Sequence, residues 1–292
     1  MCNSEIQLLK KIRSDFNFLR LCLFFSVSFL VLINANLFAQ GNLLITPKRV
    51  VFEGQKRVME VTLANVGQDS AKYNISFLQY RVNADGAYEG ITVPDPGQNF
   101  ADKNIRFFPR TVRLAPSESQ VIKLQLTKIE QLEPGEYRSH LYFRAVPNQK
   151  ALGEEDTKID STAIAIKIIP IFGITIPVII RVGESSTTVN ITNLKLETAA
   201  DGTNKLLLTI TRSGNMSAYG DLLISHISSN GKESKIGLIQ GVAVYTPNLL
   251  RRLQIDLENK PSVDLHKGTI RVLYSSQSDT RQAKLAEAEL TL

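Results

Sequence analysis

The sequence predicts an all-β protein made of two antiparallel sandwiches, on three observations. From residue 43 onward, short runs of alternating apolar and polar residues recur between turn signals, at spacings typical of sandwiches. No run sustains a helical period; the nearest, KIEQLEPGE at 128–136, is short and turn-rich. A polar stretch of small residues, VGESSTTV at 182–189, separates the runs into two series, as a hinge would. A chain of 292 residues is long enough for two domains with cores of their own, at roughly 100–200 residues each. The domains expected are 40–182 and 183–292.

Residues 1–39 belong to neither. Lys10, Lys11, Arg13 and Arg20 precede the apolar run 21–33, and NANLFAQG follows, with Ala39 before Gln40 as a cleavage point. This is the pattern of a secretory signal peptide, with an uncleaved anchor as the alternative. Cys2 and Cys22, the chain's two cysteines, both fall in this segment. A mature chain without disulfides in an oxidising compartment must be held by its apolar cores. The segment carries four of the 34 basic and two of the 28 acidic residues, which leaves the mature chain an excess of four positive charges. That excess is too mild to indicate nucleic acid, and no basic patch is interleaved with aromatics.

In the first series, LLITPKRVVFEG is followed by RVMEVTLANVG and by KYNISFLQYRVNADGAYEGI, whose Asn83-Ala84-Asp85-Gly86 reads as a hairpin loop. IRFFPRTVRLAP, SQVIKLQLT and EYRSHLYFRAVP come next. The last run, STAIAIKIIPIFGITIPVIIR at 161–181, is apolar enough to suggest a membrane span. Lys167, Pro170, Gly173 and Pro177 break it, and its isoleucines and valines favour a pleated sheet. At period two, Ile164, Ile166, Ile168, Phe172, Ile174, Ile176 and Val178 share one face, while Ala165, Lys167, Gly173, Thr175 and Pro177 share the other. With this strand the series numbers seven, as in an immunoglobulin-like sandwich.

The second series begins with TVNITNLKLETAADGTNKLLLTITRSG, two runs around Asp201-Gly202. AYGDLLISHISSNGKESKIGLI pairs two more around Asn230-Gly231. LLRRLQIDL, KGTIRVLYSS and AKLAEAELTL complete a second immunoglobulin-like sandwich of about seven strands.

Signals for chemistry are sparse. His140, His226 and His266 lie in separate runs with no second ligand at metal spacing, and His140 reads as a rim or partly buried strand residue. There is no nucleophile elbow, phosphate loop or Cys-His pairing. GEEDTKID at 153–160 lacks the spacing and central glycine of a calcium loop and reads as a solvated loop. Asn74, Asn190 and Asn215 head Asn-x-Ser/Thr triplets that a Ser/Thr-rich β protein carries by chance. Nothing supports an enzyme, a cofactor, a metal or a small-molecule substrate. What remains is recognition by a sheet edge. An exposed apolar edge is an aggregation hazard unless another chain is meant to pair with it.

Taken together, ITPKRVVFEG, FFPRTVRLAPSESQVIKLQL, EYRSHLYFRAVP and the long strand ending VIIR resemble the periplasmic pilus chaperones of the chaperone–usher pathway, over about residues 43–292. The resemblance implies two immunoglobulin-like domains set in an L. It implies a chaperone that donates a β-strand to a secreted pilus or fibre subunit with an incomplete sandwich and passes it to an outer-membrane usher. Arg49 falls on the family's first-strand arginine, which holds the subunit's C-terminal carboxylate; a guanidinium fork suits that group. The family's partner lysine is absent, with Pro177 in its place, and Lys167 lies about 30 Å upstream at roughly 3.3 Å per residue. Ile164, Ile166, Ile168 and Phe172 match the donor motif, and Arg181 matches the hinge arginine. Two readings stay open beside these: a donor run simply buried in its own sandwich, and a structural or adhesive surface protein sharing only the architecture.

Overall fold

Leu43 and Ile45 are buried while Leu44 and Thr46 are exposed, so the alternation of the first strand, β1 (Leu43–Thr46), sets its inner face. The chain switches sheets around Pro47, whose missing N–H suits an interrupted ladder, and resumes as β2 (Val50–Phe52). β3 (Val58–Asn65), β4 (Ala71–Leu78), β5 (Tyr80–Val82), β6 (Tyr88–Gly90), β7 (Ile105–Phe108), β8 (Thr111–Leu114), β9 (Ser119–Leu126), β10 (Gly135–Val146) and β11 (Gly173–Val182) follow. The computed structural model describes residues 43–147, 171–261, 263–277 and 283–292.

One sheet of this sandwich runs β1-β3-β9-β7 and the other β2-β11-β10-β4-β8, with β5 and β6 forming a separate ribbon. Val61, Leu63, Ile122, Leu124, Leu141, Phe143, Val178 and Ile180 fill the space between the sheets, each fully buried. The strands number eleven where seven were expected. Three of the runs each supply two strands: the first breaks at Pro47, KYNISFLQYRV at Gln79, and IRFFPRTVRL at Pro109, while Tyr88–Gly90 pairs back on β5. The expected loop at 83–86 closes that ribbon, with the Gly86 N–H donating to the Asn83 carbonyl at 2.9 Å. KIEQLEPGE contributes a single 3-10 turn at Ile129–Gln131.

β12 (Thr188–Thr198), β13 (Asn204–Ser213), β14 (Ala218–Ile227), β15 (Glu233–Val244), β16 (Leu250–Asp256), β17 (Thr269–Ser276) and β18 (Lys284–Thr291) form the second sandwich, from sheets β12-β13-β16 and β15-β14-β17-β18. Its seven strands match the expected number, and the turns at Asp201-Gly202 and Asn230-Gly231 close two of its hairpins. A separate core of Leu206, Ile210, Leu222, Ile224, Ile236, Ile270, Val272 and Tyr274 lies between the sheets. The protein is thus all-β with two sandwiches, and 43–292 forms one compact unit. Among the described residues no helix is long and apolar enough to cross a membrane.

The edges of the two sandwiches are treated differently. In the second, the pairings of β12, β15 and β18 each carry a register shift, the kind of irregularity that blunts an edge, while the edge strand β16 pairs with β13 without one. In the first, β1, β7 and β8 are edges of four residues each. β11 is ten residues long and pairs with β10 without a shift, from Gly135↔Val182 to Arg144↔Gly173. No bulge therefore forms at Gly173. The glycine instead leaves room for the Tyr142 ring, which a Cβ at 173 would meet at 2.2 Å.

Candidate functional site

Among the described residues, only β2 pairs with the other side of β11. β2 runs parallel to it only at Val178↔Val50, Ile179↔Val51 and Ile180↔Phe52. The Ala145 N–H donates to the Phe172 carbonyl at 2.9 Å, which fixes the phase of the ladder. Residues 172, 174 and 176 turn their backbone groups toward β10, and 173, 175 and 177 turn theirs to the opposite edge. Gly173 and Thr175 therefore each present an N–H and a carbonyl there, while the carbonyl of Pro177 is taken by the parallel pairing with β2 that begins at Val178↔Val50. β2 closes this edge from Val178 onward, so it acts as a stop for anything laid along 173–177.

Side-chain burial divides the long apolar run. Ile176, Val178 and Ile180 lie within the first sandwich's own core. Ile179, on the opposite face, packs with Val82 and Tyr245 between the two sandwiches. Ile174 stands at the margin, 36% exposed, and Phe172 is 48% exposed. Ile164, Ile166 and Ile168 lie outside the described residues.

The outer face of this sheet carries the polar residues. Along one row, Pro177 pairs with His140, and Arg49 lies one step before Val50, the partner of Val178. One row further on, Arg138 pairs with Ile179. The second sandwich covers this face with two tyrosines. The Arg49 guanidinium lies 4.2 Å from the Tyr219 ring centre and 5.6 Å from that of Tyr245, and donates to the Tyr245 hydroxyl at 3.3 Å. Arg138 stacks on Tyr245 at 4.3 Å. Cations over aromatic faces are attracted by the ring quadrupole, so the alternating stack ties the sandwiches together.

His140 is not at the rim, as its sequence context suggests, but 2% exposed. Tyr80 and Tyr88 meet its ring edge-on at 5.0 and 5.7 Å. Both of its ring nitrogens lack a hydrogen-bond partner, as do Nε and Nη1 of Arg138. Burial, followed by the Arg138 and Arg49 charges, pushes the His140 pKa down to about 3, so the ring is neutral at neutral pH. Burial also lowers that of Arg138. A cavity of about 340 Å³ opens here, lined by Tyr80, Tyr88, His140, Thr175 and Pro177.

Arg181 sits at the end of β11 and touches both sandwiches. Its Nε donates to Glu136 at 3.2 Å, its Nη2 to the Ser217 carbonyl at 3.0 Å, and Glu53 lies 3.7 Å from Nη1. Glu136 is fully buried and also accepts from the Ser217 N–H at 3.0 Å and from the Ser217 hydroxyl. The sequence alone offered no acidic partner for Arg181. It also gave no sign of the parts played by Arg138, Tyr219 and Tyr245. The one available signal was the alternation of Arg138 and His140 on a single strand face of GEYRSHLYF.

No protein-family model matches the chain, and no curated protein matches it. Among solved structures it is similar to the YadV chaperone, with 12% identity over 86% of this chain and 100% of that one, at a TM-score of 0.44. It is similar to the CsuC–CsuE chaperone–tip adhesion subunit pre-assembly complex from archaic chaperone–usher Csu pili of Acinetobacter baumannii, with 14% identity over 85% of this chain and 97% of that one, at 0.43. The CupB2 chaperone of Pseudomonas aeruginosa is 12% identical over 85% of this chain and 100% of that one, at 0.41.

Proposed function

We propose that the protein is a periplasmic chaperone, exported by the signal peptide at 1–39, that binds a pilus or fibre subunit with an incomplete sandwich by lending it a β-strand. Its domains are 40–182 and 183–292, an outer-membrane usher receives the subunit, and no chemical step is involved. The observation that carries this reading is the unshifted ten-residue β11, whose edge at 173–177 no described residue pairs with, whereas the pairings of β12, β15 and β18 are shifted. The sequence motifs from ITPKRVVFEG to VIIR support it.

Magnitudes decide where the affinity lies. The free edge offers two N–H groups and two carbonyls, each worth about 0.5–1.5 kcal/mol net when paired. Such a ladder alone gives micromolar binding at best. The larger share must come from apolar burial, at about 25 cal/mol per Å², by Phe172 and by Ile164, Ile166 and Ile168 upstream. In this reading Arg49 takes the subunit's C-terminal carboxylate and Arg181 fixes the angle between the domains.

Thr175→Pro tests the reading. It removes an N–H that faces the open edge and leaves the rungs to β10 in place. The variant should unfold at nearly the wild-type temperature yet bind the secreted subunit roughly two- to tenfold more weakly, the worth of one rung, in a titration with the purified subunit. Binding at the wild-type level would exclude pairing along 173–177. A wild-type protein that fractionates with the cell envelope, with no soluble subunit bound, would favour the structural or adhesive alternative.

A further inference from the structure

Among the described residues, the cavity between the β5–β6 ribbon and β11 is the feature that strand lending leaves without a use. Tyr80, Tyr88, His140, Thr175 and Pro177 line its volume of about 340 Å³. His140 is 2% exposed, and both of its ring nitrogens lack hydrogen-bond partners. Buried polar groups without partners are costly and uncommon, and in a cavity wall they point to a ligand that satisfies them. A neutral imidazole offers one N–H and one lone pair, so a satisfying ligand must both accept and donate. A carboxylate can only accept and an ammonium only donate, and the Arg138 and Arg49 charges that act on this ring also repel a cation. A hydroxyl does both.

We infer that this cavity receives the phenol ring of a tyrosine carried by the polypeptide that pairs along 173–177. The source of the ring rests on the chaperone reading above, whereas the cavity and its chemistry do not. Thr175 and Pro177 stand on the outer face of β11, and every second side chain of a paired guest rises beside them. His140 lies on β10 opposite Pro177, two strand spacings or about 9–10 Å from the guest's backbone. Serine, threonine and asparagine side chains end over β11, but a tyrosine carries its hydroxyl across it. The walls suit the rest of the ring. Tyr80 and Tyr88 meet His140 edge-on at 5.0 and 5.7 Å and each other at 5.7 Å, the arrangement aromatic rings favour, and Pro177 adds an apolar surface. Tyr88, 53% exposed on the three-residue β6, is the wall that moves to admit the guest. Strand lending selects apolar side chains on the inner face of a guest; this cavity adds a choice on its outer face.

The chain has three histidines, so ring NMR signals report the site directly. The probes are p-cresol and the capped pentapeptides acetyl-Thr-Val-Tyr-Val-Thr-amide and acetyl-Thr-Val-Phe-Val-Thr-amide, none of which carries a carboxylate. p-Cresol should shift the His140 signals saturably. The tyrosine peptide should bind at least tenfold more tightly than p-cresol, and about two- to tenfold more tightly than the phenylalanine peptide, the worth of one hydrogen bond. His140→Phe, which keeps a ring in place, should erase the preference for tyrosine in calorimetric titrations. No His140 shift with either p-cresol or the tyrosine peptide would overturn the site. Equal binding of the two peptides, or a preference that survives in the His140→Phe protein, would overturn the part played by the hydroxyl. A tyrosine peptide no tighter than p-cresol would overturn the polypeptide as the source of the ring. These results are separable from the Thr175→Pro titration. A lost tyrosine preference with intact subunit binding removes the cavity's part alone, and undiminished subunit binding by Thr175→Pro with p-cresol still bound removes the strand pairing and leaves the cavity.

Discussion

His140 has a consequence for stability. An unfolded histidine gains its proton near pH 6.5, whereas this one resists protonation to about 3. Between those values the unfolded chain binds the extra proton, so stability falls as pH drops through that window, by at most about 1.4 kcal/mol per pH unit for this group. Replacing it with phenylalanine keeps the edge-on contacts with Tyr80 and Tyr88 and removes the titration. His140→Phe should therefore flatten the acid limb of stability between neutral pH and about pH 4, as read by urea unfolding. An unchanged slope would mean that other groups set it. The position was readable as a strand residue in SHLYFR. Its burial was not, because the tyrosines that enclose it come from the β5–β6 ribbon, far away along the chain.

Among the elements, that ribbon does more than its length suggests. Its tip reaches the second sandwich, where the Arg252 N–H donates to the Ala84 carbonyl at 2.8 Å and the Arg252 guanidinium to Asp85 at 2.8 Å. The Asn248 side chain donates to the Val82 carbonyl. The tip thereby covers part of the outer edge of β16. Gly86 makes this possible, since its φ of +82° suits glycine and a Cβ there would strike the Arg251 guanidinium. Gly86→Ala should cost about 1 kcal/mol or more, a drop of roughly 2–4 °C in melting temperature by calorimetry. No change would show that the tip tolerates rearrangement. The turn was legible because Asn-Ala-Asp-Gly is local chemistry, as were Asp201-Gly202 and Asn230-Gly231. The sheet switches at Pro47 and Pro109 were not, since the apolar alternation continues straight through both prolines. The contacts of the tip with β16 were equally hidden, because they join residues more than 160 positions apart.

At the scale of the molecule, Glu136 is the hub between the sandwiches, joined to Arg181 of the first and Ser217 of the second. Glu136→Ala would leave Arg181 without its buried partner and should cost about 3 kcal/mol. It should also split a single calorimetric transition into two, as each core melts separately. One unbroken transition would show that the tyrosine and arginine stack suffices to couple the cores. Two sandwiches were evident from repeated short strands, whereas their contact surface depends on Arg138 meeting residues 108 positions away and could not be read from patterning. The connection that follows β11 is also secured: the Ser186 N–H donates to the Asn215 side chain at 2.9 Å, and the same side chain donates to the Glu184 carbonyl at 2.9 Å. Tension applied to β11 from its far end is therefore transmitted into the second core and is not absorbed by a slack tether.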